Sequence, residues 1–303
     1  MKIKIVVAVN KKDYWFCKIC IASIRHFYPD HEIYLLKDES NGVFSTKEIE
    51  FYWDVKTIDF SVKKFGWSGS KMHFYTDKRF KDDVFFVIDC DIVFIGKILD
   101  NPFVLNFDTD IIISKEIVAD PLSTWFTNTY FDYKKIVTFD KAFVFPGYTF
   151  NCGQLFCKGS FIERGLLEPY FDFNQFPSWK RLDIFPMVDQ SVFNYLLPTL
   201  ENKNQLKIGK EDYMIWSEST ETQSLDLADI IKGEQYLKII HWAGALRIPY
   251  INKMTRPDIL NFFEINYYKR IPFGIYLRQF RKINSVFIYF AKKYYHKIKN
   301  IPK

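Results

Sequence analysis

What most constrains this chain is a succession of short apolar runs, each too brief for a buried helix and separated by stretches with helical spacing. The first run, IKIVVAV (Ile3–Val9), is rich in β-branched side chains and ends at a polar turn, Asn10–Asp13. YWFCKICIASIRHFY (Tyr14–Tyr28) then places apolar residues on a helical face and stops before Pro29. EIYLL (Glu32–Leu36) completes a βαβ unit, whose two strands are parallel because a helix-length crossover joins them. Further strands are expected near Val55–Ile58, in VFFVI (Val84–Ile88), DIIIS (Asp110–Ser114) and GQLFCK (Gly153–Lys158), and in YLKII (Tyr236–Ile240). Helices are expected over residues 70–80, over residues 160–170, and in MVDQSVFNYLL (Met187–Leu197), bracketed by Pro186 and Pro198. This alternation predicts an α/β fold with an open, mostly parallel central sheet, whose ligands bind beyond the carboxyl ends of its strands.

With 303 residues, 48% of them hydrophobic and 19% aromatic, the chain can bury a large core. We expect one domain over residues 1–262 and a separate basic aromatic tail over 263–303. The apolar start is too short for a signal peptide, and no stretch of about 20 apolar residues spans a membrane. Five cysteines, an odd number, then predict reduced thiols in the cytoplasm. Cys17 and Cys20 have redox spacing, but they lie within the helical pattern and read as core residues. The net charge of +6 is local: ten lysines and arginines follow Glu264 without one acid, so the rest of the chain is net acidic. That distribution argues against a nucleic-acid partner.

In FFVIDCDIVF (Phe85–Phe94), Asp89 and Asp91 stand one residue apart in an otherwise apolar run. Buried carboxylates are costly unless they are paired or bind a metal. Asn10, Asp89, Asp91 and His241 all fall at predicted strand ends, where one ligand could meet them all. Two carboxylates and an imidazole suit Mn2+ (or Mg2+) better than Ca2+. A divalent ion there would also make a bound diphosphate a good leaving group. His241 opens HWAGALR, in which Gly244 permits close backbone approach and Arg247 can clamp phosphate oxygens.

Six motifs in order across residues 3–250 resemble those of GT-A glycosyltransferases of the glycogenin and bacterial lipopolysaccharide-galactosyltransferase type, family 8 and its relatives. VVAVN resembles the nucleobase strand, GWSGSKMHFY the tryptophan-and-lysine segment, and VIDCDIVFIG the D-x-D block. FNCGQLF resembles the F-N-x-G turn, VDQSVFN the D-Q helix, and HWAGALR the final H-x-x-G-x-x-K. The resemblance implies a Rossmann-like GT-A fold and a UDP-sugar donor. It also implies that Asp89, Asp91 and His241 bind the metal and the diphosphate. Ala8 and Asn10 would border uracil and ribose, and Lys71 would contact donor sugar or phosphate. Asn151, Gly153, Asp189 and Gln190 would surround the transferred sugar, while Arg247 replaces the family's phosphate-binding lysine. Relatives retain anomeric configuration; here front-face attack is favoured, with Asp189 and Gln190 as electrostatic support.

The chain also departs from the pattern. Ser191 stands where many relatives carry a sugar-contacting Asp, Asn10 where they often carry an acid, and Ile248 interrupts the usual ending. A haloacid-dehalogenase-type phosphohydrolase would also use Asp89 and Asp91, but it leaves His241 and the D-Q helix without a role. A catalytically inactive, transferase-like membrane scaffold is a third reading, and the intact triad opposes it.

From Tyr276 onward, Phe280, Ile283, Phe287, Phe290, Tyr294 and Ile298 recur at helical spacing among basic residues. An aromatic, cationic amphipathic helix of this kind lies in an anionic membrane surface. Residues 266–303 are therefore expected to hold the enzyme peripherally at the inner face of a membrane, near a glycan or glycolipid acceptor. Acceptor selection is expected within Lys115–Tyr148.

Overall fold

Residues 2–66, 68–118, 120–244 and 251–299 are described by the computed structural model. Their main sheet contains β1 (Lys4–Asn10), β2 (Ile33–Asp38), β3 (Lys56–Thr57), β4 (Val84–Asp89), β6 (Ile111–Ile117), β7 (Tyr148–Phe150), β8 (Gln154–Lys158) and β9 (Ile208–Glu211). The order is β3-β2-β1-β4-β8-β6-β7, with β9 also pairing with β6. A second sheet, ordered β10-β11-β5, comprises β5 (Ile92–Phe94), β10 (Met214–Trp216) and β11 (Ile239–His241).

Alternate residues of the strands enter two cores. Ile5, Val7 and Val9 of β1 and Phe86 and Ile88 of β4 pack with the helix Tyr14–Phe27. Val6, Phe85 and Val87 face the other core, shared with the helices Gly69–Tyr75 and Asp189–Asn202. Burial on both faces is why these strands read as unbroken apolar runs.

The sheet is mostly parallel, as expected, but β8 runs antiparallel between β4 and β6, and β7 is antiparallel to β6. A strand's residues record how deeply it is buried, not the direction of its neighbour, so the sequence is silent on this reversal. The D-Q helix continues past Pro198 to Asn202. Pro198 removes one N–H from that helix, yet burial of Val192, Phe193, Leu197 and Leu200 outweighs the break. The helix expected over 160–170 is shortened to Arg164–Leu167, because the preceding residues turn through Ser160 at φ +55°. The one expected over 70–80 divides into Gly69–Tyr75 and a single 3-10 turn, Lys78–Phe80.

The helix Pro257–Lys269 runs across the expected boundary at residue 262, burying Ile259, Leu260, Phe263 and Tyr267 in the core of the helix Tyr14–Phe27. The long helix Gly274–Lys299 follows. Its root is tied down by two ion pairs, Arg278 to Glu264 and Arg281 to Glu48. No helix among the described residues is long and apolar enough to cross a membrane.

Candidate active site

The chain changes sheets at the D-x-D motif. Asp89 is the last residue of β4, and β5 begins just after Asp91. β5 lies antiparallel to β11 with Ile92 opposite His241, and the Trp242 N–H donates to the Asp91 carbonyl (3.0 Å). This register sets His241 Nε2 3.1 Å from Asp91 Oδ1. His241 therefore meets the aspartates from the second sheet, and not along one edge of the main sheet as its strand-end position implied. One ligand atom from each of Asp89, Asp91 and His241 lies within 4.8 Å of the others.

Gly153 makes room for this group. A Cβ there would sit 2.4 Å from His241 Cε1, 2.6 Å from Asn151 Oδ1 and 3.1 Å from Asp89 Oδ2. His241 is 2% exposed, and its Nδ1 is buried without a hydrogen-bond partner among the described residues. An imidazole grouped with two carboxylates, in a space that any side chain at residue 153 would fill, fits a divalent cation.

Behind the triad stands Lys71, from the helix Gly69–Tyr75 and only 2% exposed. Its Nζ donates to Asp89 Oδ1 (3.0 Å) and the Cys152 carbonyl (2.9 Å) and pairs with Asp189 Oδ2 (3.1 Å). Three acceptors use up the three N–H bonds of an ammonium, so a donor contact from Lys71 would require one of them to be given up. Burial opposes its charge, but Asp189 and Asp89 outweigh burial and hold its pKa above the usual lysine range. Burial, with Asp91 adding to it, pushes the Asp89 carboxyl up to about 6 against the pull of Lys71.

Asp189, first in its helix, is 4% exposed and faces Lys71. Gln190 is oriented by its neighbours: Oε1 accepts from Asn151 Nδ2 (3.1 Å) and the Cys152 N–H (3.2 Å), and Nε2 donates to the Thr129 carbonyl (3.3 Å). Asn151 Oδ1 in turn accepts from the Gly153 N–H (2.7 Å). Asn151, Gly153, Asp189 and Gln190 thus form one connected group around Asp89.

Ala8 lies opposite Asp89 in the β1–β4 register. Asn10 builds a turn: Oδ1 accepts from the Lys12 and Asp13 N–H groups, and Nδ2 donates to Asp13 Oδ2 (2.9 Å). It therefore brings the Asp13 carboxylate to the end of β1, a neighbour its own position did not announce. Gly244 turns at φ +68° with no described residue within 4 Å of where its Cβ would stand, and Arg247 lies outside the described residues. Glu116 on β6 falls within the Lys115–Tyr148 stretch expected to select the acceptor, without being singled out there, and Trp216 on β10 carries no sequence expectation. The Trp216 ring stacks on His241 with centroids 5.6 Å apart and planes at 14°. Neither residue carries a motif, and only the fold joins them to the site.

Among solved structures, the chain resembles the apo form of the bifunctional glycosyltransferase WbbM (TM-score 0.52, 15% identity), covering 89% of this chain and 51% of that one. It also resembles the glycosyltransferase GlyE of Streptococcus pneumoniae TIGR4 (TM-score 0.51, 13% identity), covering 94% of this chain and 65% of that one. This is a GT-A glycosyltransferase fold. The chain spans about half of WbbM and just under two-thirds of GlyE. The galactosyltransferase LgtC, solved with donor and acceptor sugar analogs, aligns at TM-score 0.49 and 12% identity over 86% of this chain and 95% of that one. The fold assignment rests on the first two. No protein-family model and no curated protein matches the sequence. The D-x-D turn, the F-N-x-G turn and the D-Q helix meet around Asp89 and Lys71.

Proposed function

We propose that this protein is a metal-dependent glycosyltransferase that moves a hexose from a UDP-sugar to a lipid-linked or surface-glycan acceptor with retention of configuration. The observation that carries this reading is the Asp89–Asp91–His241 group, cradled by Gly153, in a GT-A fold. When bound, Mn2+ or Mg2+ would supply Lewis-acid neutralisation of the charge that develops on the departing diphosphate. Asp89 and Asp91 would hold it with His241, and Lys71 keeps Asp89 in place. A phosphohydrolase of the haloacid-dehalogenase type gives His241 nothing to do.

Retention is carried over from the family resemblance, and the carboxylates that are free bear on the route by which it would occur. A double displacement needs a nucleophilic carboxylate beneath the sugar. Asp189 is committed to Lys71 and Gln190 is an amide, so neither supplies one. Front-face attack remains, in which the departing diphosphate accepts the acceptor's proton and Gln190 and Asn151 orient the sugar. A panel of UDP-glucose, UDP-galactose and their N-acetylamino forms tests the reading. UDP release from at least one, with Mn2+ and not with EDTA, is the expected result; activity that persists in EDTA, or phosphate release from simple monoesters, rules it out.

The tail extends the proposal to the acceptor. Phe280, Ile283, Phe287 and Tyr294 are each at least 66% exposed on the helix Gly274–Lys299, and no acid lies after Glu264. This exposed aromatic row within a cationic segment fits an anionic lipid interface at the inner face of a membrane. A chain ending at Ser285 keeps the Arg278 and Arg281 ion pairs and removes Phe287, Phe290 and Tyr294. It is expected to stop sedimenting with phosphatidylglycerol vesicles while releasing UDP at the full-length rate. Undiminished sedimentation would place the membrane contact elsewhere.

A further inference from the structure

We propose that Tyr276, Phe280, Ile283, Phe287, Phe290 and Tyr294 form the seam of a helix–helix dimer between two copies of this chain. The inference does not depend on the glycosyl-transfer reading, and it uses the surface assigned above to the membrane. The six residues follow one another at intervals of 4, 3, 4, 3 and 4. That is the 3.5-residue repeat by which two helices keep one seam in contact as they supercoil. At 3.6 residues per turn all six fall within an arc of roughly 80°, narrower than the 100° or more of a helix that packs one face into a core. The row lies on the continuous helix Gly274–Lys299. Each member is at least 44% exposed, and all but Phe290 are at least 66% exposed.

Where the charges lie selects a second copy as the occupant. Arg278 and Arg281 stand on the other side of the helix and pair with Glu264 and Glu48, so the body holds the back of the root and leaves the row facing outward. Lys282 and Lys292 also fall at the back by helical spacing. The positions that flank the row, Leu277, Gln279, Asn284, Val286 and Ala291, carry no charge; Lys293 is the exception among them, and Lys297 ends the row. Two such helices can close face to face without lining the edges of the seam with like charges, although the segment as a whole is cationic. Aromatic side chains carry about 150–250 Å2 each, so the row offers on the order of 500 Å2 per copy, and two copies reach the roughly 1,000 Å2 that a specific interface needs. Left in water, a continuous aromatic row of this size is an aggregation liability, and a second copy covers it with the matching surface. Lipid and the partner copy then compete for one row.

Sedimentation equilibrium of the full-length chain in lipid-free buffer is expected to give one species of twice the chain mass at micromolar concentration. Phe287→Lys puts a charge in the middle of the seam and should raise the dimer Kd at least about thirtyfold, as the loss of a buried aromatic anchor does. Phe280→Lys, one heptad earlier, acts in the same direction. Tyr289→Lys adds the same charge and removes a ring that touches Phe290 but lies off the row, so it is expected to leave the Kd within about threefold. Phe280, Phe287 and Tyr289 are all exposed in the single chain, so none of these substitutions opens its core. The proposal is overturned by a monomeric wild type, by a ladder of larger species, by a Phe287→Lys chain that stays dimeric, or by Phe287→Lys and Tyr289→Lys chains that dissociate alike. A monomer that still sediments with phosphatidylglycerol vesicles removes the dimer and leaves the membrane reading; a dimer that binds no vesicles does the reverse.

Discussion

Asp91→Asn is expected to lower Mn2+-dependent UDP release by on the order of 10^3-fold or more while leaving the fold intact. The substitution preserves shape, and the Asp91 carbonyl still receives the Trp242 N–H that joins the D-x-D turn to β11. What it removes is one of two carboxylates next to His241, and with it an anionic oxygen that a divalent ion requires. It also relieves the like-charge repulsion by which Asp91 raises the Asp89 pKa, so the metal-free variant should melt no lower than the wild type. Mn2+ titration, thermal unfolding and UDP release on the same sample separate these effects. Activity within tenfold of the wild type would remove the triad from the chemistry. A lowered melting temperature without metal would show that Asp91 is chiefly a structural residue.

The sequence yielded those parts of the site whose chemistry is local. Two aspartates one residue apart at the end of an apolar strand are legible because charge is costly there, whatever the tertiary fold. The glycine at 153 could be placed in a turn, but its reason, a Cβ 2.4 Å from His241 Cε1, exists only across two sheets. His241 was found through its motif, while its route to Asp91 depends on the antiparallel β5–β11 pairing, which three-residue strands do not announce. Lys71 looked like a residue available to a ligand, because a lysine in a short helix carries no sign that three acceptors already surround it. Glu116 lies in the stretch expected to select the acceptor but has no signal of its own, because KEI reads as the ordinary exposed end of a strand. The fold brings Tyr130 Oη to 3.4 Å from Oε2 of its carboxylate. The direction of β8 was equally beyond reach, since both kinds of buried strand have the same composition.

Lys71→Met is expected to cost about 3–5 kcal/mol of stability, the range seen when one partner of a buried ion pair is removed. Methionine fills the space of the lysine stem, so the loss is electrostatic and not a cavity. Most of it falls on Asp189, whose side chain is 6% exposed and whose ion-pair partner among the described residues is Lys71; Asp89 keeps His241 as a neighbour in the metal-binding group. For a chain of this size the melting temperature should fall by roughly 10 °C. The pH dependence gives the effect a sign. In the wild type the Lys71 pKa is raised, so its contribution is complete below the unfolded value of about 10.4 and disappears only as pH rises through the folded one. Between pH 5 and 8 it therefore adds no slope. Without the cation, the folded variant takes up a proton to neutralise a buried carboxylate, and so binds more protons than the unfolded chain. Its stability then falls as pH rises, and its deficit against the wild type is smaller at pH 5 than at pH 8. Removing the stranded charge as well, in Lys71→Met with Asp189→Asn, should restore much of the stability without restoring UDP release, because Asp89 still lacks its brace. Unfolding curves for the two variants at both pH values decide the matter: a deficit that does not change with pH, or a double variant no more stable than the single one, would mean that Lys71 acts through packing and not through charge.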